Sequence, residues 1–90
     1  MKQEVCNAIL IDPRDSVATV TVPVRAGETV CWAAGGAAAC LTALEDIPRY
    51  HKVAVKPVPA GDAVLKYGEY VGRALRDIPA GAWVHVHNLG

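Results

Sequence analysis

A short template recurs along this chain, and it limits the fold more than any other feature. Asp46-Ile47-Pro48-Arg49-Tyr50-His51-Lys52-Val53, Pro57-Val58-Pro59-Ala60-Gly61-Asp62-Ala63-Val64 and Asp77-Ile78-Pro79-Ala80-Gly81-Ala82-Trp83-Val84 share it, and Val24-Arg25-Ala26-Gly27-Glu28-Thr29-Val30 is a looser copy. Each copy has an apolar residue, usually a Pro, a Gly where the chain reverses, and then a β-branched residue that opens a strand. Proline holds φ near −65° and glycine enters the left-handed region without a steric penalty, so each copy makes a tight corner. Several such corners within 90 residues predict a small all-β unit of short bent strands and exclude a flat meander.

Strand patterns lie between the corners. Val17 to Val22 alternates at period two, and Ala8 to Ile11 does likewise before the Asp12-Pro13 turn, so the two predict an antiparallel hairpin. Further β-rich runs are 52–55, 63–67, 70–74 and 83–87. The stretch from Val30 to Leu44 is rich in Ala, but Gly35-Gly36 at its centre costs a helix about 2 kcal/mol and suits a two-residue hairpin turn. That register opposes Ala34 to Ala37, Trp32 to Ala39 and Cys31 to Cys40. The two thiols then face each other at a non-hydrogen-bonded pair, where a cross-strand disulfide is geometrically allowed. Two reduced thiols packed together are the other reading, and a reducing cytosol favours them.

Length sets one domain over residues 1–90. Hydrophobic residues make up 52% of the chain, which excludes a disordered tail, but Phe is absent and much of that share is Ala and Val. The core is therefore expected to be thin, and a partner surface follows naturally from a thin core. Nine basic and nine acidic residues cancel, so neither nucleic acid nor a membrane surface is an expected partner. The start Met1-Lys2-Gln3-Glu4 is polar, charges interrupt the run after Ala8, and no stretch is long enough to span a bilayer. With an odd count of three cysteines, these features predict a cytoplasmic chain. Cys6 reads as a buried small apolar residue, since no neighbouring charge would activate it.

The ordered blocks Glu45-Asp46-Ile47-Pro48, His51-Lys52-Val53-Ala54, Pro59-Ala60-Gly61, Lys66-Tyr67-Gly68, Val71-Gly72-Arg73-Ala74, Asp77-Ile78-Pro79-Ala80-Gly81 and Val84-His85-Val86-His87-Asn88-Leu89 resemble the SAF-type domain of altronate and galactarate dehydratases. The same module occurs as the small subunit of relatives such as sulfolactate sulfo-lyase. The resemblance spans about residues 8–89. It implies a β-clip fold and a role as the detached small subunit, or N-terminal-type domain, of a metal-assisted lyase acting on a small hydroxy acid or a related sulfonate. It also implies a large catalytic subunit as partner, holding most of the Fe²⁺ or other divalent metal site, with this chain inactive alone. Two segments depart from the family pattern: Tyr50 stands where the corner Gly is usual, and the hairpin around Gly35-Gly36 is richer in Ala.

All three histidines, His51, His85 and His87, fall inside those blocks. Read as a strand, 83–87 projects His85 and His87 to one face while Val84 and Val86 face the core. Two imidazoles so placed suit a divalent metal, or a carboxylate when protonated, and a solvated pair is the bland alternative. His51, His85 and His87 are thus the candidate metal ligands. Lys52, Lys66, Tyr67 and Asn88 are the candidate substrate contacts, an ammonium supplying charge and a phenol a neutral donor. An edge-strand Lys and a half-packed Tyr would look the same. The acids Asp12, Asp15, Glu45, Asp46 and Asp77 sit at turns and read as backbone caps, not as an acid–base pair, so no catalytic residue is assigned. Dinucleotide, P-loop, CxxC, GxSxG and HExxH motifs are absent. Two functions remain: accessory subunit of a lyase, or a non-catalytic SAF-type module for ligand binding or assembly, with a homo-oligomer compatible with either.

Overall fold

In the computed structural model, which describes residues 6–90, four corners of one design organise the chain. The fourth backbone N–H of each donates to the first carbonyl: Glu28 to Arg25 at 3.0 Å, His51 to Pro48 at 3.0 Å, Asp62 to Pro59 at 3.0 Å and Ala82 to Pro79 at 3.2 Å. The third residue always has positive φ, +89° at Gly27, +67° at Tyr50, +88° at Gly61 and +91° at Gly81. That is the type II geometry, in which Gly is preferred at the third place. Tyr50 therefore adopts the same left-handed conformation as the glycines.

The corners work in pairs. Val24 bridges Ile47, and Val58 bridges Ile78. Within each pair an Asp carboxylate caps the opposite corner, Asp46 accepting from the Ala26 N–H at 2.9 Å and Asp77 from the Ala60 N–H at 2.8 Å. Each pair also carries a hairpin pinned at its base by matching bonds. Gly27 donates to Ala43 and Ala43 to Glu28 in one half, and Gly61 donates to Ala74 and Ala74 to Asp62 in the other. The recurrent template is thus a duplicated corner pair, and each half has its own core cluster. One is centred on Val20, Val30, Ile47 and Val53, the other on Val17, Val64, Ile78 and Val84. The largest fully buried apolar side chains are Ile and Val, so the core is as thin as the composition implied.

Strands β1 (Ala8–Ile9), β2 (Val17–Val20), β5 (Lys52–Ala54) and β8 (Trp83–Val84) form one sheet in the order β1-β2-β5-β8, antiparallel throughout. The pairs β3 (Thr29–Ala34) with β4 (Ala37–Thr42), and β6 (Ala63–Lys66) with β7 (Glu69–Arg73), are the two hairpins. No helix occurs among the described residues, so the chain is a small all-β domain of β-clip type and none of its described segments is a helix able to cross a membrane. The polar start read for targeting lies in residues 1–5, outside the described residues.

The Gly35-Gly36 hairpin has the expected register, including Cys31 opposite Cys40 and Trp32 opposite Ala39. Cys31 shows why the two sulfurs meet. Its N–H donates to Asn7 Oδ1 and its carbonyl accepts from the Asn7 N–H, so this position turns its backbone away from β4 and its Cα lies 4.1 Å from that of Cys40. The sulfurs are bonded, which corrects the expectation of packed thiols. That expectation came from the redox compartment, whereas the pairing follows from the register.

Two other expectations fail. Cys6 is exposed, at the end of the chain described, instead of buried. The strand read over 83–87 stops at Val84, and residues 85–88 turn. Val86 is consequently 78% exposed and does not face the core.

Asp15 is the buried polar anchor between halves. Its carboxylate accepts from the backbone N–H groups of Asp12, Tyr67 and Gly68 at 3.1, 2.9 and 2.8 Å. Burial alone would raise its pKa, but those bonds hold it below the usual 3.8. A carboxyl held below its unfolded value stabilises fully above that pH, and the contribution disappears as the pH drops through the lower folded value. We therefore expect stability to decline below pH 3.8, with Asp15→Ala losing about 2 kcal/mol at pH 7 and flattening the acid limb of a urea-midpoint profile. An unchanged acid limb in the variant would contradict this assignment.

Candidate functional site

The pairing of β5 with β8 sets Val53 opposite Trp83 and Lys52 opposite Val84, and so brings the second corner against the C-terminal segment. Asn88 bends the chain after Val84. It is buried, its Oδ1 accepts the His85 N–H at 2.9 Å and its Nδ2 donates to the Trp83 carbonyl at 2.9 Å. The backbone N–H groups of Asn88 and Leu89 both donate to the His85 carbonyl. This turn, not strand alternation, sets the directions of His85 and His87.

All three imidazoles gather round one indole. The His85 ring stacks on Trp83 with centroids 5.3 Å apart and planes 8° from parallel. His87 lies tilted at 5.1 Å and His51 at 5.8 Å. The His51 and His85 rings are 4.7 Å apart. Trp83 Nε1 donates to His51 Nδ1 at 3.1 Å, and the Trp83 backbone N–H donates to Glu45 Oε2 at 3.0 Å. Trp83 carries no titratable group and so is missing from the candidates read in the sequence, although an aromatic two residues before His85 and four before His87 was the available signal.

Positive charge collects beside this cluster. Burial lowers the Lys52 ammonium below its usual 10.5, and repulsion from Lys66 lowers it further. Desolvation lowers His85 below 6.5, followed by the charges of His51, Lys52 and His87. Both shifts favour the neutral form and would be reversed by an arriving anion. Among the described residues the one ion pair is Arg14 with Asp12, at 2.9 Å, so neither Lys52 nor His85 forms one.

The other candidates stand in different places. Lys66 ends β6 with its Nζ 5.0 Å from the Tyr67 ring centroid, and it is near enough to Lys52 for their charges to repel. Tyr67 has φ +55° in a turn held by the Asp15 carboxylate, and it lies outside the indole cluster. Asn88 lies under the site with both ends of its amide bonded to backbone. The acids read as caps do serve backbone groups, Asp12 holding the Arg14 N–H and Glu45 that of Trp83. Among the described residues no three His, Cys, Asp or Glu side chains converge so as to hold a metal ion. The residues described therefore do not fit a complete metal site, and the arrangement suits an anion better than a cation.

Comparison with known proteins shows the family. The family model for the altronate/galactarate dehydratase SAF domain matches residues 6–90. (2R)-sulfolactate sulfo-lyase subunit alpha of Paracoccus pantotrophus is 52% identical over 48 residues, which are 53% of this chain and 72% of that protein. Galactarate dehydratase (L-threo-forming) of Escherichia coli is 46% identical over 44 residues, 49% of this chain and 8% of that protein. Altronate dehydratase of Bacillus subtilis is 43% identical over 44 residues, 49% of this chain and 9% of that protein. The match thus takes in most of the sulfo-lyase alpha subunit and less than a tenth of these two dehydratases. With its two corner pairs, its β-clip sheet and the matched span, the chain belongs to the altronate/galactarate dehydratase SAF-domain family.

Proposed function

We propose that this chain is the small component of a lyase acting on a hydroxylated acid, either a sugar acid or a related sulfonate, and that it presents its imidazole and ammonium rim to the acid group. One observation carries the reading: His51 and His85 lie against Trp83 and each other, Lys52 follows His51 in the chain with its charge acting on His85, and basicity is lowered at both Lys52 and His85. An anion entering there gains charge-assisted hydrogen bonds and restores the protons that desolvation, and then neighbouring positive charge, disfavour. Lys66 and Tyr67 supply a second contact toward the far end of an extended substrate.

An elimination needs a base for the proton α to the carboxylate and a Lewis acid at the leaving group. Neither is assigned to this chain. A larger catalytic partner supplies both in this reading, including the Fe²⁺ or other divalent metal, and the part played here is binding and orientation. A second reading, an assembly module without chemistry, draws on the exposed Ala and Gly tip at residues 33–38.

Reconstitution with the large component separates the two. Sugar-acid dehydration assayed with Fe²⁺ or Mn²⁺ should need both components, with this chain silent alone. Equal turnover from the large component by itself would remove the role given to the rim.

A further inference from the structure

The bond between Trp83 and His51 determines what kind of group His51 can be. An indole N–H only donates, so His51 Nδ1 must accept and therefore carries no proton. In the neutral ring the proton then resides on Nε2. A histidine that binds a metal through Nε2 needs the reverse arrangement, with its lone pair on Nε2 and Nδ1–H donating to a neighbouring acceptor. Trp83 cannot be that acceptor.

We propose that Trp83 is a positioning residue that locks His51 as the Nε2–H tautomer, so that His51 meets its ligand as a hydrogen-bond donor to an anionic oxygen and not as a metal ligand. The indole is itself fixed from several sides. His85 stacks on its face, Glu45 holds its backbone N–H and Asn88 its carbonyl. The tautomer is accordingly a property of the folded chain before any ligand arrives. A pre-set donor costs no proton rearrangement when an acid group binds, whereas a free imidazole divides its population between two tautomers. The identity of the ligand rests on the function proposed above, but the tautomer does not.

The test has two arms. Nitrogen-15 spectra of the labelled chain above pH 7.5 should show an unprotonated Nδ1 and a protonated Nε2 at His51, and Trp83→Phe, which keeps an aromatic ring but no donor, should give a mixture of tautomers. Addition of Zn²⁺ should leave the wild-type Nε2–H signal in place. A wild-type ring protonated at Nδ1, or loss of the Nε2 proton to Zn²⁺, would overturn the lock. In the reconstituted enzyme, His51→Gln places an amide donor near the Nε2 position and His51→Asn near Nδ1. We expect the Gln variant to hold at least about ten times the turnover of the Asn variant. Equal turnover in these two, with the tautomer confirmed, overturns the donor role at the acid-binding site while leaving the lock intact.

Discussion

Gly81→Ala should unfold much of the population at temperatures where the wild-type chain is folded. A Cβ at this position would lie 2.5 Å from the Thr42 carbonyl oxygen and 3.2 Å from Leu44 Cγ, and the backbone sits at φ +91°. The left-handed conformation costs an L-residue about 1 to 2 kcal/mol, and crowding against a backbone oxygen in a packed region adds about 1 to 3. The sum, about 2 to 5 kcal/mol, corresponds to a loss of at least roughly 8 °C in Tm for a domain of this size. Tyr50→Gly should act in the opposite sense. It relieves strain at φ +67° in the equivalent corner, offset by the entropy of a Gly in the unfolded chain and by loss of the Arg49 contact 5.2 Å from the ring centroid. A net gain of about 0.5 to 1 kcal/mol is expected. Thermal melts followed by circular dichroism measure both, and two variants shifting in the same direction would contradict the equivalence of the corners.

Loss of the rim should weaken turnover more than assembly. Lys52→Ala removes an ammonium already destabilised by burial and by Lys66, and His85→Ala removes the imidazole stacked on Trp83. If each touches the acid group in the transition state, each should lower kcat/KM in the reconstituted enzyme at least tenfold, about 1.4 kcal/mol. His87→Ala should do less, because His87 is exposed at the tilted side of the indole. Binding should also fade at alkaline pH before 10.5 is reached, since the lowered Lys52 pKa brings deprotonation earlier.

The fold was legible where local chemistry decides it. A Pro or Gly at a given place in a corner dictates backbone angles within four residues, and Gly35-Gly36 determines the partner of every residue in its hairpin. The pairing of corners was not legible, because Val24 with Ile47 and Val58 with Ile78 are contacts between distant segments. The site was half legible. His51 and Lys52 were named in the sequence beside His85 and His87, but the pairing of β5 with β8 that joins these distant segments was not legible. The alternation in Trp83-Val84-His85-Val86-His87 pointed to a strand, but the Asn88 amide bonds to Trp83 and His85 and bends the chain first. A side chain that competes for backbone bonds in this way leaves no period in the sequence.

The role of the rim stands or falls with the kcat/KM of the reconstituted enzyme carrying Lys52→Ala and His85→Ala together, with gel filtration confirming that the complex forms. A loss of at least about tenfold with assembly intact is expected; the two groups belong to one charge cluster, so their effects need not multiply. A value within twofold of wild type in an intact complex would refute that role and leave the chain as an assembly module.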